Sequence, residues 1–248
     1  MSEPVIVTDD GGVRTVRINR PEKKNALTQA MYAEMTRALR EADASDSIRC
    51  VVFAGAPGAF CAGNDIADFL KAAQGGSDLH ALGFVEEIAR SRTPKVAAVG
   101  GVAVGVGTTM LFHCDHVVAS VEATFSTPFL KLGLLPEAAS TLLAPMRMGY
   151  ARAFALLAMG RPLSAQDAKD AGIVNAVVEA GQLDAVALQA AWEIAALPPK
   201  ALAVTRALLR GDLDEILKRI TLESSHFRDL LQSDEARVAF MQFLARKK

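Results

Sequence analysis

The chain has 248 residues, 51% hydrophobic and 22% charged, which allows one large domain, or a domain with an appendage, around a substantial core. Lys and Arg number 27 against 28 acids, a net charge of −1; that balance gives no electrostatic case for nucleic acid, and no charge run suggests a polybasic arm or acidic tail. Cys50, Cys61 and Cys114 are too few and too scattered for a disulfide framework and read as reduced thiols of a cytoplasmic protein.

In chain order, MSEPVIVTDD is acidic and has no apolar core, so no secretory signal is expected. VRTVRIN (13–19) alternates with period two and is rich in β-branched residues, which predicts a strand. RPEKKNAL is a proline-opened loop. From Thr28 to Ala44 a helix is predicted, with Met31, Met35, Ala38, Leu39 and Ala42 on one face. IRCVVFAG (48–55) reads as a buried strand and APGAFCAGND as a glycine-rich loop after it. KVAAVGG and HVVAS are two further apolar strands, and parallel strands with helical crossovers suit this order. The uncharged run Val96 to Cys114 barely reaches the roughly 20 residues of a membrane span. Its four glycines favour a buried strand, a turn and a buried helix, so no membrane association is expected.

From about Met146 the pattern becomes helical. SAQD (164–167) is a capping box, with Gly172 as the helix stop. IVNAVV is a last short strand, and LPP at 197–199 breaks the helical run that follows. The expected division is a core of residues 1–195 and a C-terminal helical segment of residues 196–248.

Several motifs suggest chemistry. HCDH (113–116) offers four ligand types in a row, but adjacent residues cannot converge on one ion and no second cluster exists, so no metal site is expected. GGVAVGVG lacks the third glycine of a dinucleotide fingerprint, its place being taken by Met110. FCAGNDI (60–66) and GVAVGVGTT (101–109) each follow an apolar strand and precede a helix. Such loops expose backbone N–H groups that bind developing negative charge, or they merely make tight turns. Finally, GLLPEAAS (133–140) sets Glu137 among apolar neighbours, either as a functional carboxylate or as an acid in the first turn of a helix.

AFCAGNDI, TPKVAAVGGVAVGVG, HCDHVVASVEATFSTPFLKLGLLP and RPLSAQDAKDAGIVN together resemble the enoyl-CoA hydratase/isomerase family, the crotonases, from about Val5 to near the C-terminus. The resemblance implies an α/β fold, a crotonase-like spiral of ββα units with a C-terminal helical layer. It implies an acyl-CoA thioester as substrate with no separate cofactor, and assembly as a homotrimer or a dimer of trimers. By motif position the oxyanion hole falls to the N–H groups of Asn64 and Val106. Coenzyme A is placed near Lys24, Asn25 and Ala26, near Ala62, Gly63, Asp65 and Ile66, and near Gly105. The family's hydratases carry two glutamates where this chain has Thr109 and Phe129. LLPEAAS is similar to the PEG-like motif of the peroxisomal-type Δ3-Δ2-enoyl-CoA isomerases, which implies Glu137 as a single catalytic base, although alanine stands where that branch more often has glycine. The alternatives are a hydratase using another acid, and a non-catalytic acyl-CoA-binding homologue. The apolar residues Phe227, Leu230, Leu231, Val238, Phe240 and Phe243 predict a C-terminal surface buried between subunits.

Overall fold

The computed structural model of the chain describes residues 3–74 and 79–245. Strands β1 (Val5–Asp10) and β2 (Val13–Ile18) form an antiparallel hairpin. Helix α1 (Gln29–Ala44) follows, with the Thr28 hydroxyl accepting from the Met31 N–H; its buried face contains the five expected residues and Tyr32. Three pairs of strands come next, each followed by helix. Strands β3 (Cys50–Gly55) and β4 (Ala59–Cys61) precede α2 (Ile66–Gln74) and α3 (His80–Arg90). Strands β5 (Lys95–Val99) and β6 (Val102–Val104) precede α4 (Val106–Thr109). Strands β7 (His116–Ser120) and β8 (Thr124–Ser126) precede α5 (Ser140–Met148) and α6 (Tyr150–Leu157). The chain continues through β9 (Leu163–Ser164), α7 (Ala165–Asp170), β10 (Ala176–Val178) and α8 (Leu183–Ala196). Helices α9 (Pro199–Arg210), α10 (Leu213–Leu231) and α11 (Asp234–Ala245) complete it. This is the expected spiral of ββα units with a helical layer after it.

The strands of each pair part company. The first joins a sheet ordered β1-β2-β3-β5-β7-β10, and the second joins a smaller sheet ordered β4-β6-β8-β9. From β2 onward the large sheet is parallel, and β4, β6 and β8 are mutually parallel. Val51, Phe53, Ala97 and Val99 face the main core, whereas Cys50, Val52, Ala54, Val96 and Ala98 pack on Leu183, Ala187 and Ala191 of α8. With both faces covered, β3 reads as a continuous apolar run rather than an alternation.

Two loop expectations are corrected. APGAFCAGND contains β4, and the second glycine loop contains β6. Strands of three residues are too short to show a period, and their pairing partners lie about 40 residues away in sequence. Two of the expected C-terminal surface residues differ from expectation. Phe227 and Phe240 are 2% and 3% exposed, packed within their own chain, while Val238 is exposed and the Phe243 side chain lies outside the described residues. Large exposed apolar side chains stand elsewhere, at Met146, Tyr150, Leu208 and Leu209. The capping box forms as predicted between Ser164 and Asp167, and Gly172 follows α7 at φ 80°. All three cysteines are buried and unpaired. No described helix is long and apolar enough to cross a membrane.

Candidate active site

Strands β4, β6 and β8 run in one direction, so the segments leaving their C-terminal ends share one edge of the small sheet. These segments bring Asn64, Val106 and Phe129 to that edge. Two glycines hold the first two segments together. A Cβ at Gly63 would lie 3.0 Å from the Val104 carbonyl oxygen, and one at Gly107 would lie 2.7 Å from the Cys61 carbonyl oxygen. Larger residues would force the loops apart. Phe129 is buried, its ring edge 3.7 Å from where a Gly105 Cβ would be.

The two amides at this edge have no hydrogen-bond partner among the described residues. Leu27 N–H donates to the Gly63 carbonyl and Asp65 N–H donates to the Leu27 carbonyl, both at 2.8 Å, which leaves the Asn64 N–H without a backbone partner among the described residues. Gly105 N–H donates to the Ser126 carbonyl at 2.8 Å, and the Gly105 carbonyl accepts from Thr108 and Thr109. The Val106 N–H, at the start of this turn, likewise has no partner among the described residues. The Asn64 side chain is itself anchored: the hydroxyl of the buried Tyr32 donates to its Oδ1 at 2.6 Å.

The loop of Lys24, Asn25 and Ala26 is stitched to the same edge. Lys24 and Asn25 have φ of 50° and 59°. Asn25 is wholly buried, accepting from the Arg20 N–H at 2.8 Å and donating to the Ala59 carbonyl at 2.6 Å. Its side chain therefore shapes the loop. The Ala62 N–H donates to the Lys24 carbonyl at 3.1 Å, and Arg20 joins Asp65 at 2.8 Å and the Ala26 carbonyl at 3.0 Å. Burial pushes the Asp65 pKa up, but the Arg20 pair and backbone donors more than reverse this and leave it lowered. Ile66, half-buried, opens α2. Lys24 is exposed and leaves a cation at the rim.

Glu137 does not stand in the first turn of a helix. Helix α5 begins at Ser140, and the intervening Ala138 and Ala139 have φ of 62° and 53°. Left-handed backbone costs roughly 1–2 kcal/mol per L-residue, so this turn is held by its surroundings. Glu137 is 7% exposed. Its Oε1 accepts from the Thr109 hydroxyl at 2.5 Å, whereas Oε2 is buried with no partner among the described residues. Burial pushes the Glu137 carboxyl up to about 8; the Thr109 hydrogen bond opposes this and the Glu223 carboxylate adds to it. A carboxyl raised in this way, with one oxygen unpartnered among the described residues, has the character that general acid–base chemistry uses.

Residues 8–248 match the enoyl-CoA hydratase/isomerase family. The chain belongs to this family. It is 35% identical over 253 residues to enoyl-CoA delta isomerase 2 of Rattus norvegicus, covering 99% of this chain and 64% of that protein, slightly less than two thirds of its length. It is 31% identical over 255 residues to the 1,2-epoxyphenylacetyl-CoA isomerase of Escherichia coli K12, covering 100% and 97% of the two. The crystal structure of an enoyl-CoA hydratase/isomerase from Pseudoalteromonas atlantica T6c aligns with a TM-score of 0.94 at 37% identity, covering 98% of each chain.

In this member of the enoyl-CoA hydratase/isomerase family, three site residues escaped sequence reasoning. Tyr32 was not among the residues that set the predicted apolar face of α1, and its hydroxyl was the one signal that could have marked it out. His113 read as one of four adjacent metal-ligand types. It is buried and neutral, its pKa pushed down to about 3 by burial, and its Nε2–H donates to the Ala138 carbonyl at 2.7 Å. Among the described residues no group of three or more His, Cys, Asp or Glu is placed to hold a metal. Glu223 lies 86 positions after Glu137, and its carboxylate accepts from the N–H groups of Ala139 and Thr141. Its one signal was an acid within the α10 stripe of Ile216, Ile220 and Phe227.

Proposed function

We propose that this chain is an enoyl-CoA isomerase that moves the double bond of a 3-enoyl-CoA thioester to the 2-position. The observation that carries the reading is the buried carboxyl of Glu137, one oxygen of which has no partner among the described residues, beside Thr109 where the family's hydratases carry a glutamate. Hydration requires one group to position water and another to deliver a proton. Isomerisation requires one base that takes a proton from C2 and returns it to C4.

In this mechanism the thioester carbonyl oxygen accepts from the N–H groups of Asn64 and Val106. Glu137 Oε2 removes a C2 proton, and the electrons of that C–H bond delocalise into a dienolate with negative charge on the thioester oxygen. Two fixed amides stabilise this charge without reorganising, the kind of contribution that amounts to roughly 10²- to 10³-fold per donor. The proton then passes from Glu137 to C4, the double bond forms between C2 and C3, and the carboxylate is regenerated. The coenzyme A thioester is the substrate, and the chemistry calls for no further cofactor. The relative named as a delta isomerase supports this direction of chemistry.

Assembly as a trimer, or a dimer of trimers, belongs to the same proposal. Met146, Tyr150, Leu208 and Leu209, between 72% and 82% exposed, are the apolar side chains a second copy would cover. Light scattering at micromolar concentration is expected to give a trimer or hexamer mass, and a monomer mass would overturn the assembly. For the reaction, the test is product analysis after incubation with 3-enoyl and 2-enoyl thioesters. Conversion of the 3-enoyl substrate to its 2-enoyl isomer is expected; a 3-hydroxyacyl product from the 2-enoyl substrate, without any double-bond shift, would overturn the reading.

A further inference from the structure

We propose that Glu223 is a positioning residue for the active carboxyl, acting as a clamp from α10 on the backbone turn that presents Glu137. The inference rests on the reading of Glu137 as the catalytic base. Its carboxylate grips the turn at three points. Oε2 accepts from the Ala139 N–H at 2.6 Å, and Oε1 accepts from the Thr141 N–H at 3.0 Å and the Thr141 hydroxyl at 2.6 Å. Arg219, one turn earlier on α10, donates to the Thr141 hydroxyl oxygen at 3.0 Å. His113 holds the Ala138 carbonyl of the same turn.

This carboxylate stands where packing alone would place a hydrocarbon. Glu223 is 2% exposed in the buried stripe of Ile216, Ile220 and Phe227, and it makes no ion pair among the described residues. A buried charge is costly unless its hydrogen bonds are strong. Here they go to two N–H groups of a turn containing consecutive left-handed alanines, which has no intrinsic preference for its shape. The Glu137 side chain has a single hydrogen bond of its own, to Thr109. Its position is therefore set largely by the backbone that Glu223 grips. A displacement of about 1 Å at a reacting group can cost on the order of a hundredfold in rate.

Glu223 also acts on Glu137 through charge. Thr109 on α4 donates to Glu137, and the titratable groups close enough to exchange charge effects with it are Tyr32 on α1, Cys61 on β4 and Glu223 on α10. Burial raises the Tyr32 and Cys61 pKa values and keeps both neutral. Glu223 is the acidic neighbour that holds the Glu137 proton more tightly. Burial raises the Glu223 pKa too, against the hydrogen bonds from Thr141 and Ala139 and the Arg219 charge.

Glu223→Gln and Glu223→Ala test the clamp. Glutamine keeps one acceptor oxygen and loses the charge; alanine removes both acceptors. Expected results are a roughly ten- to hundredfold lower kcat for alanine with KM within about twofold of wild type, and an intermediate kcat for glutamine. Hydrogen exchange at the Ala139 and Thr141 amides should quicken in both. Glu137, followed by carbon NMR of labelled glutamate, should titrate at lower pH in Glu223→Gln than in wild type. Should alanine fail to fold, the glutamine variant carries the same readings. A folded variant with wild-type kcat, amide exchange and Glu137 titration would overturn the proposal, as would a loss confined to KM. Exchange and titration need no turnover. A wild-type chain that fails to isomerise a 3-enoyl thioester but shows both shifts in Glu223→Gln would overturn the reaction and leave the clamp standing.

Discussion

The Thr109 hydroxyl donates to Glu137 Oε1 at 2.5 Å, both side chains being buried. The hydrogen bond favours the ionised carboxylate and so lowers its pKa against the effect of burial. In Thr109→Val that opposition is lost while the shape is nearly kept. The alkaline rise of kcat/KM is expected to move to higher pH, with activity at pH 7 falling several-fold. An unmoved limb measured between pH 6 and 10 would show that Thr109 does not tune the base.

Glu137→Gln keeps the side chain's size but cannot accept a proton. Proton transfer by a positioned group contributes roughly 10²- to 10⁴-fold, so isomerisation should fall by at least the lower figure. Affinity for a saturated acyl-CoA should change little. A folded variant with wild-type turnover would remove Glu137 from the mechanism.

The same carboxyl makes stability depend on pH. Its folded pKa of about 8 lies above the ordinary carboxylate value of 4.5. Between these values the folded chain binds a proton that the unfolded chain has released, so this contribution is full below about 4.5 and fades as pH rises through 8. Glu223, also raised, acts with the same sign. Denaturation midpoints are expected to fall between pH 5 and pH 9, and to fall less in Glu137→Gln. Equal slopes for the two proteins would contradict the shift.

The amides of Asn64 and Val106 make a different prediction. Asn64→Ala leaves the backbone donor in place and should retain most activity, whereas Val106→Pro removes a donor and should cost on the order of a hundredfold in kcat. A folded and fully active Val106→Pro protein would exclude that amide from the reaction.

Ala138→Gly probes the left-handed turn from the opposite direction. Glycine adopts φ of 62° without steric cost, and the replacement should stabilise the fold by roughly 0.5–1 kcal/mol. If the clamp on Ala139 and Thr141 suffices, kcat will be unchanged. A lower denaturation midpoint would mean that Ala138 is packed too closely for its methyl to be lost.

Periodicity made α1 and β2 legible, and short apolar runs bounded by turn residues made β3, β5 and β7 legible. Strands β4 and β6 were not legible: Ala59–Cys61 and Val102–Val104 are strands only through their pairing with each other and, for β6, with β8. At the site, the proposed roles of Glu137, Asn64 and Val106 came from the family resemblance of their motifs, since spacing alone left them open. Tyr32, His113 and Glu223 act through contacts spanning 25 to 84 positions, and no spacing rule reports a hydrogen bond between a core helix and a distant turn.

The placement of Asn64 and Val106 after neighbouring parallel strands has an evolutionary consequence. Adjacent strands are held about 4.8 Å apart by their own hydrogen bonding, so the gap between the two amides is set by the ladder of β4 and β6 together with the close approach at Gly63 and Gly107. Substitutions that reshape the rim around Lys24 or α2 can alter which acyl chain is admitted while leaving this ruler intact. On the proposed mechanism, a lineage built on this scaffold is thus free to change its clientele without rebuilding the pair of amides that would meet the enolate.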